Sequence, residues 1–135
     1  MCGIVGVIST KYRSELENNV RCMVNTLEHR GPDDTGVWSD SKFGVSFGHS
    51  RLSIVDLSAA GHQPMFSSCG RYVIVFNGEI YNHLSLRIEL DKLSVSTTIN
   101  GDHIQSRWRG HSDTETLLAC ISEWGIEKTL QESIG

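Results

Sequence analysis

This 135-residue sequence has no basic block, no closely paired cysteines, no internal repeat and no long apolar run. Each absence narrows the reading. Lysine and arginine total 12 against 16 acidic residues, a net charge of -4, and they are scattered. A chain without a basic patch lacks the electrostatic footprint of a nucleic-acid or anionic-membrane partner. The four cysteines, Cys2, Cys22, Cys69 and Cys120, show none of the pair spacing of a metal site. No metal is expected, and free thiols in a reducing compartment are. No stretch approaches the roughly 20 apolar residues of a membrane helix. Lys11-Tyr12-Arg13 is polar where a secretory signal would be apolar. A cytoplasmic protein is expected. With 39% hydrophobic residues, the chain has one domain's worth of core.

The first six residues, Met1-Cys2-Gly3-Ile4-Val5-Gly6, hold the strongest chemical signal. Removal of Met1 would leave Cys2 carrying both a thiol and a free α-amino group. An α-amino group titrates at a pKa of roughly 7.7–8.0, so near neutrality part of it is a base. A thiol is a strong nucleophile once its proton leaves, and a terminal amine on the same residue can take that proton. Ile4-Val5-Gly6-Val7-Ile8 reads as a buried strand that would hold Cys2 rigidly at its end.

Next, Ser14-Glu15-Leu16-Glu17 fits a capping box, and Leu16, Val20, Met23, Val24 and Leu27 follow at helical spacing. That helix is expected to reach about Glu28, with Cys22 as a small core residue beside its apolar face. Gly31-Pro32 stops it, so residues 29–34 read as a turn. Gly36-Val37-Trp38 and residues 43–48 suggest a β-hairpin. His62, in an irregular loop, reads as a turn histidine. Residues 71–76 form the most apolar strand pattern and are expected to be central. A helix follows, carrying Leu84 and Ile88, with Leu86 and Leu90 as further candidates. Residues 94–99 suggest a strand edge and Asn100-Gly101-Asp102 a turn. The long connection over residues 93–109 is anchored by Trp108. Ser112-Asp113-Thr114-Glu115 is a second capping box, opening a helix with Leu117, Leu118, Ile121 and Trp124 on one face and Cys120 in the core. Gly125 ends it, and one more short helix is expected over residues 127–132.

Three further groups carry chemistry. Arg51 emerges from an apolar pattern, where a planar guanidinium can grip both oxygens of a carboxylate, or simply pair with a nearby acid. Asn77-Gly78 ends a strand that a helix follows, which weakens the usual hairpin reading. A side-chain amide and a glycine N–H there can form an oxyanion hole. Asp113 either favours the helix dipole or receives a ligand ammonium.

Taken together these stretches resemble the N-terminal glutaminase domain of class II glutamine amidotransferases, most closely the glutamine-hydrolysing asparagine synthetase type. The resemblance rests on Met1-Cys2-Gly3-Ile4-Val5-Gly6, His29-Arg30-Gly31-Pro32-Asp33, Arg51-Leu52-Ser53-Ile54-Val55-Asp56, Gln63-Pro64, Phe76-Asn77-Gly78-Glu79-Ile80-Tyr81-Asn82-His83 and Ser112-Asp113-Thr114-Glu115, in the family's order. It implies an α+β, Ntn-hydrolase fold, with stacked antiparallel sheets between helical layers, continuing past Gly135. It implies that Cys2 is the nucleophile, its own amine the base, and Asn77 and Gly78 the oxyanion hole. Arg51 would bind the glutamine α-carboxylate and Asp113 its α-ammonium. Glu79 and the backbone around Leu52, Ile54 and Val55 would complete the pocket. Glutaminase chemistry would need no cofactor. ATP and Mg would serve a separate synthetase domain that turns aspartate into asparagine. That domain is the implied partner, and a homodimer is left open. A retained Met1 would block the base. The readings set against this are an amidotransferase serving another acceptor, such as a sugar or natural-product precursor, and an inactive glutamine-binding module.

Overall fold

The computed structural model describes residues 1–11, 14–54, 56–95 and 107–135. The β-branched opening run forms β1 (Gly3–Ile8), whose alternation buries Val5 and leaves Ile4 and Ile8 exposed. Then come α1 (Leu16–Asn25), a 3-10 turn (Glu28–Arg30), β2 (Asp34–Asp40) and β3 (Val45–Arg51). The expected hairpin is present. Its reversal is made by Asp40, whose carboxylate accepts from the Lys42 and Phe43 amides, and by Gly44 at φ 69°. β1 and β2 both pair antiparallel to β3, in the order β1-β3-β2.

β3 is therefore the central strand, and small residues make it so. Gly48 has no side chain where Val20 and Val24 of α1 press against it, and Ser50 donates to the Val24 carbonyl. The opposite face carries Phe47, His49 and Arg51. Val5, Val20 and Val24 form the core between α1 and this sheet.

A second sheet consists of two short strands, β4 (Met65–Phe66) and β5 (Val73–Ile74). The two sheets meet where Trp38 stacks on Phe47, with centroids 5.6 Å apart, and receives Phe66 edge-on. Beyond the second sheet lie α2 (His83–Val95), α3 (Asp113–Trp124) and α4 (Ile126–Glu132). Ile74 and Phe76 pack on a core of Ile80, Leu86, Leu90, Leu117 and Cys120. The layers thus run helix, sheet, sheet, helices, an α+β arrangement with antiparallel pairing. No helix among the described residues is long and apolar enough to cross a membrane.

Several sequence expectations need correction. Residues 71–76 are not the central strand. Only Val73 and Ile74 pair, because the Phe76 amide leaves the ladder to bond the Gln63 side chain. The first capping box is absent, since Glu15 occupies the N-cap without a side-chain bond. α1 stops at Asn25 rather than near Glu28, and it buries Leu16, Val20 and Val24 at four-residue spacing. Cys22 and Met23 fall outside that stripe and are exposed. In α2 the buried pair is Leu86 and Leu90, while Leu84 and Ile88 face outward. Ser94 and Val95 end α2 rather than begin a strand edge. The rest of that expected strand, the turn at Asn100-Gly101-Asp102 and Val55 lie outside the described residues. At α3, Ser112 is the N-cap, and its hydroxyl accepts from the Thr114 amide rather than from the Glu115 amide of a capping box. The Glu115 carboxylate instead takes the Arg109 and Gly110 amides.

Candidate active site

The β1–β3 register sets Gly3 opposite Ser50, which carries Cys2 to the level where β3 ends. There the Leu52 amide points at the Cys2 sulfur, 3.3 Å away. Arg30 Nε donates to the Cys2 carbonyl at 3.2 Å. Gly31 lies so close to the Ser50–Arg51 main chain that a Cβ there would come within 2.5 Å of it. The Asp33 carboxylate accepts from the Ser53 amide at 2.7 Å. Residues 29–34 are thus more than a turn. They grip the main chain on both sides of the sulfur.

Arg51 is buried, with 8% of its surface exposed. Nη1 donates to the Ser58 carbonyl at 2.9 Å and Nη2 to the Asp56 carbonyl. Gly61 leaves room for the guanidinium, since a Cβ there would strike it. These carbonyls take two of the five N–H groups an arginine has, and three remain. Asp113 is buried at the N-terminus of α3, 6% exposed. One of its oxygens accepts from the Ile80 amide at 2.9 Å and the other from the Thr114 amide at 2.7 Å. It therefore ties the 77–80 segment to α3.

A cavity of about 340 Å³ lies between these elements. Cys2, Arg51, Leu52, Ile54, Asn77, Gly78, Glu79 and Asp113 all border it. Such a volume is at the lower end of the range for small-molecule sites. Asn77, Gly78 and Glu79 are exposed at its rim. Val55 lies outside the described residues. The cavity thus sets a thiol, a guanidinium and a carboxylate around one small volume.

Two polar residues of the cavity wall escaped the sequence analysis. Gln63, 6% exposed, accepts from the Phe76 amide at 2.7 Å and donates to Thr114 Oγ1 at 3.4 Å. Its only signal was the Gln-Pro pair. Asp56 is buried, and burial would raise its pKa. Hydrogen bonds from the Ser58 hydroxyl and the His111 and Ser58 amides, with the charge of Arg51, outweigh that and hold it down to about 2. Beneath the cavity, His49 is 1% exposed and neither ring nitrogen has a hydrogen-bond partner. Burial holds its pKa below 6.5, against the opposing influence of the Phe76 main chain and Asp34. His62, expected as a turn histidine, is exposed and bonds Asp34 at 2.7 Å.

The other cysteines stand apart from the cavity. Cys22 and Cys69 are exposed, and burial pushes the Cys120 thiol up to about 11. Among the described residues no group of three His, Cys, Asp or Glu is placed to hold a metal.

Known proteins resemble this chain in sequence. The family model for the glutamine amidotransferase domain matches residues 1–135. Asparagine synthetase [glutamine-hydrolyzing] 3 of Bacillus subtilis (strain 168) is 39% identical over 92% of this chain and 18% of its own length. Asparagine synthetase [glutamine-hydrolyzing] 1 of the same organism is 40% identical over 94% of the chain and 18% of its own. For asparagine synthetase B [glutamine-hydrolyzing] of Escherichia coli (strain K12) the values are 37%, 94% and 20%. The chain therefore spans about a fifth of the length of these curated relatives.

Proposed function

The chain belongs to the glutamine amidotransferase domain family, and from that premise we propose that it hydrolyses glutamine with Cys2 as an N-terminal nucleophile, on an Ntn-hydrolase fold. After loss of Met1, the Cys2 amine takes the thiol proton and the sulfur attacks the side-chain amide carbon of glutamine. Asn77 and Gly78 donate to the oxyanion that forms. The protonated amine returns its proton to the leaving nitrogen, ammonia departs, and a thioester remains. Water attacks the thioester, the amine takes the water's proton, and glutamate leaves as the thiol re-forms. Arg51 holds the α-carboxylate by charge-assisted hydrogen bonds, and Asp113 holds the α-ammonium. Leu52, Ile54 and Glu79 shape the remainder of the pocket.

The observation that carries the reading is the Cys2 sulfur, seated on the Leu52 amide at 3.3 Å, in the one cavity that Arg51 and Asp113 also border. In the whole protein, the ammonia would serve an ATP-dependent conversion of aspartate to asparagine in a separate synthetase domain. ATP and magnesium belong to that part. Among the described residues no cluster of three His, Cys, Asp or Glu is placed to hold that ion on this chain.

The test is labelling with a glutamine analogue bearing an electrophilic carbon at the amide position. On full-length protein shown by mass to lack Met1, the adduct is expected on the peptide beginning at Cys2, with protection by glutamine. Cys2→Ala is expected to abolish both labelling and ammonia release. An adduct elsewhere, or full activity in Cys2→Ala, would overturn the reading.

A further inference from the structure

Arg51 and Asp113 reach the cavity from different elements, the end of β3 and the start of α3. An α-amino acid presents its carboxylate and ammonium on one carbon, so the two protein groups must stand at one fixed separation. Charge-assisted hydrogen bonds have a narrow range of lengths, about 2.7–2.9 Å. A displacement of about 1 Å can cost roughly a hundredfold in rate. Something must set that separation.

One residue touches both sides. The Asp56 carbonyl accepts from Arg51 Nη2. Its carboxylate closes the 56–58 turn on the Ser58 amide at 2.8 Å and the Ser58 hydroxyl at 2.6 Å. That closure aims the Ser58 carbonyl at Arg51 Nη1. The other carboxylate oxygen reaches across to the His111 amide at 2.7 Å, two residues ahead of Asp113. The approach is tight, since a Cβ on Gly110 would lie 2.3 Å from that oxygen. The seat of Arg51 and the lead-in to Asp113 are thus bolted together through Asp56.

We propose that Asp56 is a positioning residue, setting the Arg51–Asp113 separation and so the selectivity for a free α-amino-acid head group. This rests on the glutaminase reading, and the experiment separates the two. Glutamine hydrolysis by the full-length protein is compared with that of Asp56→Asn. Asparagine keeps the carbonyl to Arg51, but its amide nitrogen must face either the Ser58 or the His111 donor. The expected result is a KM for glutamine raised about tenfold with kcat within about twofold of the parent. Preference for glutamine over its analogue lacking the α-ammonium should fall by a similar factor. A role confined to stability would reduce the folded fraction, and hence apparent kcat, and leave KM and the preference unmoved. That result overturns the proposal. If Asp56→Asn does not fold, Ser58→Ala keeps the carboxylate and removes the hydroxyl that bonds it and also accepts from the Ala60 amide. KM is then expected to rise about threefold, and an unchanged KM refutes the proposal. A parent enzyme that releases no ammonia from glutamine overturns the glutaminase reading itself.

Discussion

Replacing Gln63 by leucine removes the side chain that spans the cavity wall and leaves the Phe76 amide without a partner. The Phe76 amide loses its 2.7 Å acceptor, and Thr114 Oγ1 loses a weaker 3.4 Å donor. A buried donor left unsatisfied costs about 1–3 kcal/mol, and an ordinary hydrogen bond contributes about 0.5–1.5 kcal/mol. The second bond is long, and leucine recovers some apolar burial, so a net loss of about 2 kcal/mol is expected. With a urea slope of about 1–3 kcal/mol/M, the midpoint should fall by about 1 M. The same change frees the main chain just before Asn77 and Gly78, the proposed oxyanion donors. Complete loss of one such donor costs roughly 10²–10³ in rate, so a displaced pair should cost about 10- to 100-fold in kcat. KM should move little, because the seat of Arg51 is untouched. That pattern is the reverse of the one expected for Asp56→Asn. Urea unfolding and steady-state ammonia release measure both effects. If Gln63→Leu unfolds at the parent's midpoint with parental kcat, the argument from Phe76 to Asn77 is wrong.

Two further outcomes follow from the fold. Because burial holds His49 below its ordinary pKa of 6.5, the unfolded chain takes up a proton that the native state refuses. Stability should therefore be full above pH 6.5 and decline as pH falls below it. His49→Leu should flatten that decline in urea midpoints taken between pH 7 and 5, where a slope equal to the parent's would count against it. Gly48→Ala would place a Cβ 2.1 Å from Val24 Cγ2, and overpacking of this kind costs about 1–3 kcal/mol. Thermal unfolding should register the loss, and an unshifted transition would mean that α1 moves aside freely.

Much of the site could be read from the chain because its residues stand where patterns break. Cys2 precedes the first strand, Arg51 ends β3, Asn77-Gly78 follows an apolar run, and Asp113 opens α3. Each element end projects its residue toward the same cavity. What could not be read was the support. The bonds of Gln63 to Phe76 and of Asp56 to His111 join side chains to distant main-chain groups, and no spacing encodes such a pairing. The central strand was also hidden, because β3 fits under α1 through Gly48 and serines rather than through apolar bulk. In α2, Leu84, Leu86, Ile88 and Leu90 recur every second residue, which favours neither helical face. The contact with α3 decides in favour of Leu86 and Leu90. Cys22 was misplaced for the related reason that α1 buries a narrower stripe than its apolar count suggests.

That Cys2 lies against β3, with Asp113 much farther along the chain, orders events in time. A ribosome adds about 5–20 residues per second, and a chain emerges amino end first. The first strand is made some seconds before β3 exists to receive it, and the wall around Asp113 is made later still. Until those segments arrive the amino end has nothing to pair with, and contacts so distant along the chain form only after long loops close. On the proposed function, the span in which Met1 can be removed from Cys2 therefore comes before any span in which Cys2 has a pocket around it.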